Sequence, residues 1–134
     1  MNIRMAGLDW HVPIQLREQL SFPRGRVVEL NRLIRDNPGV EGCALLSTCN
    51  RTELYLSCAE GTEPDPAGLL CAAAGVDDAA FADFFTTCTG EAAARRLMEV
   101  AGGLRSQIWG GDQILTQVKG GISAAPEGGA GGGG

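Results

Sequence analysis

The stretch Ser47-Thr48-Cys49-Asn50-Arg51-Thr52-Glu53 separates two short apolar runs, residues 43–46 and 54–58. Short runs of apolar residues joined by a polar segment are typical of neighbouring strands connected by a tight turn. The stretch therefore predicts a β-hairpin at the centre of the fold, with a single cysteine in its turn.

Cys49 has two possible roles in such a turn. Free cysteines are usually small, half-buried packing residues, which gives a purely structural reading. However, Thr48, Asn50 and Arg51 supply a hydroxyl, an amide and a guanidinium close to its sulfur. A nearby cation favours the thiolate, which is the form of cysteine that attacks a carbonyl carbon. Cys49 is therefore also a candidate nucleophile.

The residues before the hairpin predict one strand and two helices. Residues 3–8 alternate as a strand does, and residues 14–20 form a short helical segment. A longer helix begins near Ser21 and Pro23 and ends at residues 36–39, where proline and glycine stop it. The apolar face of this helix is predicted to contain Val27, Leu30, Leu33 and Ile34. The one histidine, His11, lies in a loop, and we interpret it as incidental.

The residues after the hairpin predict further helices. An alanine-rich helix spans residues 67–74 and ends at Gly75. Periodicity alone leaves Phe81, Phe84 and Phe85 open, as part of a helix or as the start of a strand at residues 83–87. Thr89 can cap the next helix, and another helix begins at Asp112. The apolar stripe of the helix after Thr89 consists of Ala93, Leu97, Val100, Ala101 and Leu104. Residues 120–134 are glycine-rich and predict a disordered tail.

Composition limits the class of protein. The chain has 134 residues, a formal net charge of −5 and 44% hydrophobic residues. These values predict one soluble domain, with no membrane-spanning segment and no secretory signal. Five cysteines without C-x-x-C spacing argue for a reducing cytoplasm and against disulfides or a metal site. Because the chain is acidic, any contact with nucleic acid depends on local cations. The candidates are Arg51, Arg95, Arg96, Arg105 and Lys119.

Two segments resemble one known family. Residues 46–53 are similar to the nucleophile motif of glutamyl-tRNA reductase, and residues 100–104 and 110–119 are similar to its second motif, in the same order and spacing. The resemblance implies an α+β, ferredoxin-like β-α-β-β-α-β catalytic domain over residues 1–119, followed by helices and the disordered Gly-rich tail of 120–134. It also favours the strand at residues 83–87.

The resemblance further implies a reaction in tetrapyrrole biosynthesis. Cys49 attacks the ester of glutamyl-tRNA to form a thioester, which NADPH reduces to glutamate-1-semialdehyde. Arg51 is implied to bind the glutamyl carboxylate, and Arg96 occupies the position of a catalytic histidine. The residues implied to bind substrate are Thr48, Asn50, Arg51, Ser106, Gly111, Asp112, Gln113 and Gln117. Family analogy adds homodimerisation and glutamate-1-semialdehyde aminotransferase as a partner.

The sequence departs from the family in ways that leave alternatives open. Arg96 cannot transfer protons near neutral pH as a histidine does. Arg105 and Gly111 replace acidic residues of the family, which shifts the site towards positive charge. Family members continue into an NADPH-binding Rossmann domain and a helical dimerisation domain, which these 134 residues do not include. The alternatives are a non-catalytic module that binds glutamate or a partner, and a thioesterase-like fragment without reductase activity.

Overall fold

The computed structural model describes residues 2–9, 11–48 and 50–102, together with the backbone of residues 108–110. The predicted helix from Asp112 and the predicted tail lie outside these residues. The strands are β1 (Ile3–Leu8), β2 (Val40–Ser47), β3 (Thr52–Cys58), β4 (Thr86–Thr89) and β5 (Ile108–Gly110). The helices are α1 (Ile14–Gln19), α2 (Arg24–Arg35), α3 (Pro66–Ala74) and α4 (Gly90–Gly102).

The five strands form one sheet in the order β4-β1-β3-β2-β5, and each described pair is antiparallel. The first four strands, with α1 and α2 between β1 and β2 and α3 between β3 and β4, have the predicted ferredoxin-like order. The predicted fold class is thus confirmed. Strand β5 was not predicted, because three residues are too few to show an alternation.

The sheet is covered by helices on both faces. Apolar residues of α2 and α3, such as Leu30 and Leu70, pack with Leu45 and Leu54 in one buried cluster. A second cluster on the opposite face joins Ala93, Ala94 and Leu97 of α4 to Ile3, Met5, Ala44 and Tyr55 of the strands. The sheet is therefore buried on both sides, which explains why β2 and β3 consist almost entirely of buried residues.

The predicted helix ends agree with the structure. Helix α2 is followed by Gly39 and α3 by Gly75, and both glycines have positive φ angles, of 84° and 77°. Glycine adopts this left-handed conformation without the steric cost that a side chain adds. Glu91 lies in the first turn of α4, where the helix dipole favours an acidic side chain. Among the described residues, no helix combines the length and the apolar character that crossing a membrane requires.

Two local predictions were wrong. Strand β4 spans Thr86–Thr89 rather than residues 83–87, and a 3₁₀ turn at Asp78–Ala80 precedes it. Leu33 is 45% exposed, whereas Asn31 of the same helix is buried next to Cys43. Helical spacing alone did not reveal that a polar residue fills this position on the inner face.

Gly7 provides a test of the packing beneath α4. A Cβ atom at this position would lie 2.9 Å from Glu53 Cγ and from Met5 Cε, and 3.2 Å from the Thr52 carbonyl oxygen. We expect Gly7→Ala to lower the free energy of unfolding by about 1–3 kcal/mol, as overpacking of a core does. Chemical denaturation measures this loss.

Gly25→Ala is the matched control, since Gly25 is exposed in α2 and a Cβ there meets nothing within 4 Å. We expect it to leave the free energy of unfolding unchanged or to raise it by at most about 1 kcal/mol, the direction that helix propensity favours. Equal stability of the Gly7→Ala variant and the wild type would contradict the close packing around Glu53.

Candidate active site

The turn that contains Cys49 is held by the side chain of Thr48. Ser47 and Thr52 form the last residue pair of β2 and β3, so four residues connect the strands. The Thr48 N–H donates to the Arg51 carbonyl at 2.8 Å. The Thr48 hydroxyl oxygen accepts from the N–H groups of Asn50 and Arg51, each at 3.2 Å. Thr48 thus stabilises the turn itself, which is a role that the sequence analysis did not assign to it.

Two buried hydroxyl groups fix the ends of the turn to the segment between α1 and α2. The Phe22 N–H donates to Ser47 Oγ at 2.9 Å, and Thr52 Oγ1 donates to the Leu20 carbonyl at 2.6 Å. Ser47 and Thr52 are each 1% exposed. Because buried backbone groups require partners, these bonds secure the segment and the hairpin to each other.

Glu53 lies one residue beyond the turn and is buried, with 2% of its surface exposed. The Tyr55 hydroxyl donates to its Oε1 atom at 2.6 Å, and Arg96 Nη2 donates to its Oε2 atom at 2.5 Å. Arg51 Nη1 lies 4.0 Å from the same Oε2 atom. A buried carboxylate requires such compensation, because an unpaired charge in the protein interior is strongly destabilising.

The structure thus brings together Arg51 and Arg96, two predicted site residues that are far apart in sequence. Their side chains are 42% and 41% exposed, although both approach a buried carboxylate. Arg96 Nε is buried and has no hydrogen-bond partner among the described residues. The bond to Glu53 raises the pKa of Arg96, so this side chain remains a cation and does not exchange protons near neutral pH.

The Tyr55 hydroxyl acts only as a neutral donor in this cluster. Burial raises its pKa well above the usual range, and the adjacent Glu53 carboxylate adds to this effect. The phenol therefore keeps its proton for Glu53 at any physiological pH.

A cavity of about 300 Å³ adjoins the Glu53 cluster. Gly7 of β1 pairs with both Glu53 and Thr86, so three strands meet here without a side chain at the central position. The lining residues are Met5, Gly7, Leu8, Asp9, Glu53, Thr86, Cys88 and Arg96. A larger cavity, of about 410 Å³ beside α3 and β4, contains none of the predicted site residues.

Asp9 contributes a second carboxylate to the rim of the first cavity. Its Oδ1 atom accepts a hydrogen bond from the His11 backbone N–H at 2.9 Å, and this bond is the main cause of its lowered pKa. The charge of Arg51 lowers the pKa further. His11, which we interpreted as incidental, contacts Asp9 through its Nδ1 atom at 3.1 Å and is largely exposed.

The four described cysteines are poor nucleophiles. Burial raises the pKa of Cys43 to about 12 and that of Cys71 to about 11. Burial also raises the pKa of Cys58 and of Cys88. Each of these thiols therefore keeps its proton at neutral pH, where a thiol does not react as a nucleophile.

The remaining predicted site residues are not all placed by the structure. Thr48, Asn50, Arg51 and Arg96 are described. Those outside the described residues are Cys49, Ser106, Gly111, Asp112, Gln113 and Gln117. Of the candidate nucleic-acid contacts, Arg95 forms an exposed ion pair with Glu91 at 3.1 Å. Arg105 and Lys119 also lie outside the described residues. The roles of all these residues in binding and catalysis stay predictions.

Glu53 belongs to the quoted motif, but no role was predicted for it or for Tyr55. A signal was present, because the two residues are separated by one position in a strand and must point to the same face of the sheet. Glu53 and Tyr55 are both buried on that face, so a glutamate there required a partner for its charge. The sequence did not show which residue is the partner, because Arg96 lies on a helix 43 residues further along the chain.

Comparison with known proteins shows the family of the chain. Residues 8–133 match the family described as the N-terminal domain of glutamyl-tRNA(Glu) reductase. The chain belongs to this family. The predicted resemblance is therefore confirmed, although it was drawn from two short motifs alone.

Individual relatives support the assignment over most of the chain. The glutamyl-tRNA reductase of Acetivibrio thermocellus is 44% identical over 95% of this chain, and that of Alkaliphilus oremlandii is 40% identical over 95%. The solved structure of glutamyl-tRNA reductase from Methanopyrus kandleri matches 78% of the chain with a TM-score of 0.50 and 30% identity. The chain covers 39% and 38% of the two relatives and 23% of the solved chain.

The bond between Thr52 and Leu20 gives a testable consequence. We expect Thr52→Val to lower the free energy of unfolding by about 1–3 kcal/mol, because it leaves the buried Leu20 carbonyl without its donor. Thr87→Val, at an exposed position of β4, is the control and should change stability by about 0.5 kcal/mol or less. Equal effects of the two substitutions in chemical denaturation would show that the bond is unimportant.

Thiol labelling tests the special position of Cys49. At pH 7, we expect iodoacetamide to modify one cysteine rapidly, and peptide mass spectrometry to locate the label at Cys49. The raised pKa values of Cys43, Cys58, Cys71 and Cys88 should make these four residues slow. Cys49→Ser should abolish the rapid phase. Slow labelling of all five cysteines would favour the structural reading of Cys49.

Proposed function

We propose that this chain is the acyl-transfer part of a glutamyl-tRNA reductase. In this proposal the Cys49 thiolate attacks the carbonyl carbon of the ester between glutamate and the 3′ end of tRNA. The carbon–sulfur bond forms, the bond to the ribose oxygen breaks, and the released oxygen takes up a proton. The product is a glutamyl thioester on Cys49, within the tetrapyrrole pathway that the family serves.

The observation that carries the proposal is the convergence of Arg51 and Arg96 beside the hairpin that bears Cys49. Two guanidinium groups lie near the Glu53 carboxylate, and the Asp9 carboxylate on the cavity rim also interacts with Arg51, so these four formal charges balance. The two arginine side chains are each about two-fifths exposed, so a guanidinium group is still accessible to an anionic ligand, although the whole chain has a charge of −5. Arg51 is half exposed and loosely paired, so it can offer a bidentate contact to the glutamyl carboxylate.

We assign the acyl transfer, and not the hydride transfer, to this chain. Reduction of the thioester requires NADPH, and dinucleotides bind at a parallel β-α-β unit with a glycine-rich turn. The strand pairs that the structure describes are antiparallel throughout, so these residues do not fit the cofactor. The family histidine is also replaced by Arg96, whose permanent charge stabilises anions but cannot provide a proton near neutral pH.

Intact-protein mass spectrometry after mixing with glutamyl-tRNA tests this proposal. We expect a glutamyl adduct on the wild type that Cys49→Ser abolishes. Arg51→Ala should slow adduct formation by roughly tenfold or more, because it removes a charged hydrogen bond to the ligand. Arg32→Ala is the matched control, since Arg32 is an exposed arginine of α2 and is not one of the candidate nucleic-acid contacts.

The outcomes distinguish the remaining hypotheses. An adduct that forms and then disappears without NADPH indicates a thioesterase-like activity. An unmodified wild type that still binds glutamate, and loses it in Arg51→Ala but not in Cys49→Ala, indicates a non-catalytic binding module. An unmodified wild type without glutamate binding contradicts both, and with them the proposed function.

A further inference from the structure

Glu53 is held much more firmly by Arg96 than by Arg51. One carboxylate oxygen accepts from Tyr55 at 2.6 Å and the other from Arg96 at 2.5 Å. The nearest Arg51 nitrogen is 4.0 Å away, beyond hydrogen-bond distance. Arg51 is therefore attracted by Glu53 but is not bound to it.

We infer that Arg96 is the counter-ion of Glu53, and that this pair positions Arg51 and leaves it available to a carboxylate ligand. Arg96 is in this view a positioning residue rather than a catalytic one. The identity of the ligand, an amino acid or acyl group with a free carboxylate, rests on the proposed function. The arrangement of charges around Glu53 does not depend on the proposed function.

The reasoning depends on what Glu53 would do without Arg96. At 2% exposure its charge cannot be left uncompensated, because a buried ion without a partner is strongly unfavourable. Arg51 is the nearby cation on the same strand end, and a small movement would close the 4.0 Å gap. Loss of Arg96 would then draw Arg51 onto Glu53 and withdraw it from the ligand.

The opposite substitution has a different consequence. Glu53→Gln removes the charge that attracts Arg51, and it leaves both guanidinium groups accessible to solvent on about two-fifths of their surface. Glutamine keeps a side-chain oxygen that can accept from Tyr55 or Arg96. Removing both charges together, in Glu53→Gln with Arg96→Gln, therefore removes the competition of the Glu53 carboxylate for Arg51 and leaves the interaction of Arg51 with Asp9 as it is in the wild type.

Glutamate affinity in this set of variants tests the inference, with NMR titration of L-glutamate into the full chain as the measurement. We expect Arg96→Gln to raise the dissociation constant by about tenfold, the scale of one charged hydrogen bond. We expect the double variant to recover to within about threefold of the wild type. If Arg96 itself contacts glutamate, the double variant will bind no better than Arg96→Gln, and the inference is overturned.

A ligand-free measurement separates the inference from the proposed function. Double-mutant cycles in chemical denaturation give the coupling of Glu53 to Arg96 and to Arg51. We expect the Glu53–Arg96 coupling to be the larger, as the two distances imply. Equal couplings, or a larger one to Arg51, overturn the anchoring role of Arg96. A wild type with the expected couplings that fails to bind glutamate overturns only the ligand, and with it the proposed function.

Discussion

The buried carboxylate of Glu53 constrains the whole of one sheet face. It lies between strand β3 and helix α4, where Tyr55 and Arg96 occupy its two oxygens. Because a buried charge is stable only with its partners in place, α4 must pack with Arg96 directed at β3. The small side chains of Ala93 and Ala94 allow this close approach. One electrostatic requirement thus sets the position of the helix that forms one wall of the cavity.

The hairpin turn is fixed by independent contacts on the other side of the sheet. Ser47 and Thr52 bond to the backbone of the segment between α1 and α2, and Thr48 closes the turn from within. The hydroxyl residues of the motif therefore hold the turn in place, whether or not they also contact a substrate. This distribution explains why so short a motif contains so many hydroxyl groups: the turn bearing Cys49 has no apolar side chains to hold it in place.

The cysteines illustrate how burial separates chemical roles. Cys43 and Cys71 are buried in the cluster beneath α2 and α3, where desolvation raises the pKa of each thiol. Cys88 lines the cavity next to Arg96, yet burial still raises its pKa more than the guanidinium lowers it. A cation near a thiol is thus insufficient for activation, since solvation of the thiolate decides the balance.

The sequence by itself determined the local elements, the hairpin and the family, because these depend on neighbouring residues. Alternation predicted β1, two short apolar runs predicted β2 and β3, and proline and glycine predicted the helix ends. The pairing of Glu53 with Arg96, the packing of α4 on the second face, and strand β5 were decided only by the tertiary structure. These contacts join residues far apart in the chain, and the periodicity of one element does not show which distant element it contacts. A charge in an apolar strand indicates that a partner is required, and only the folded chain selects which cation provides it.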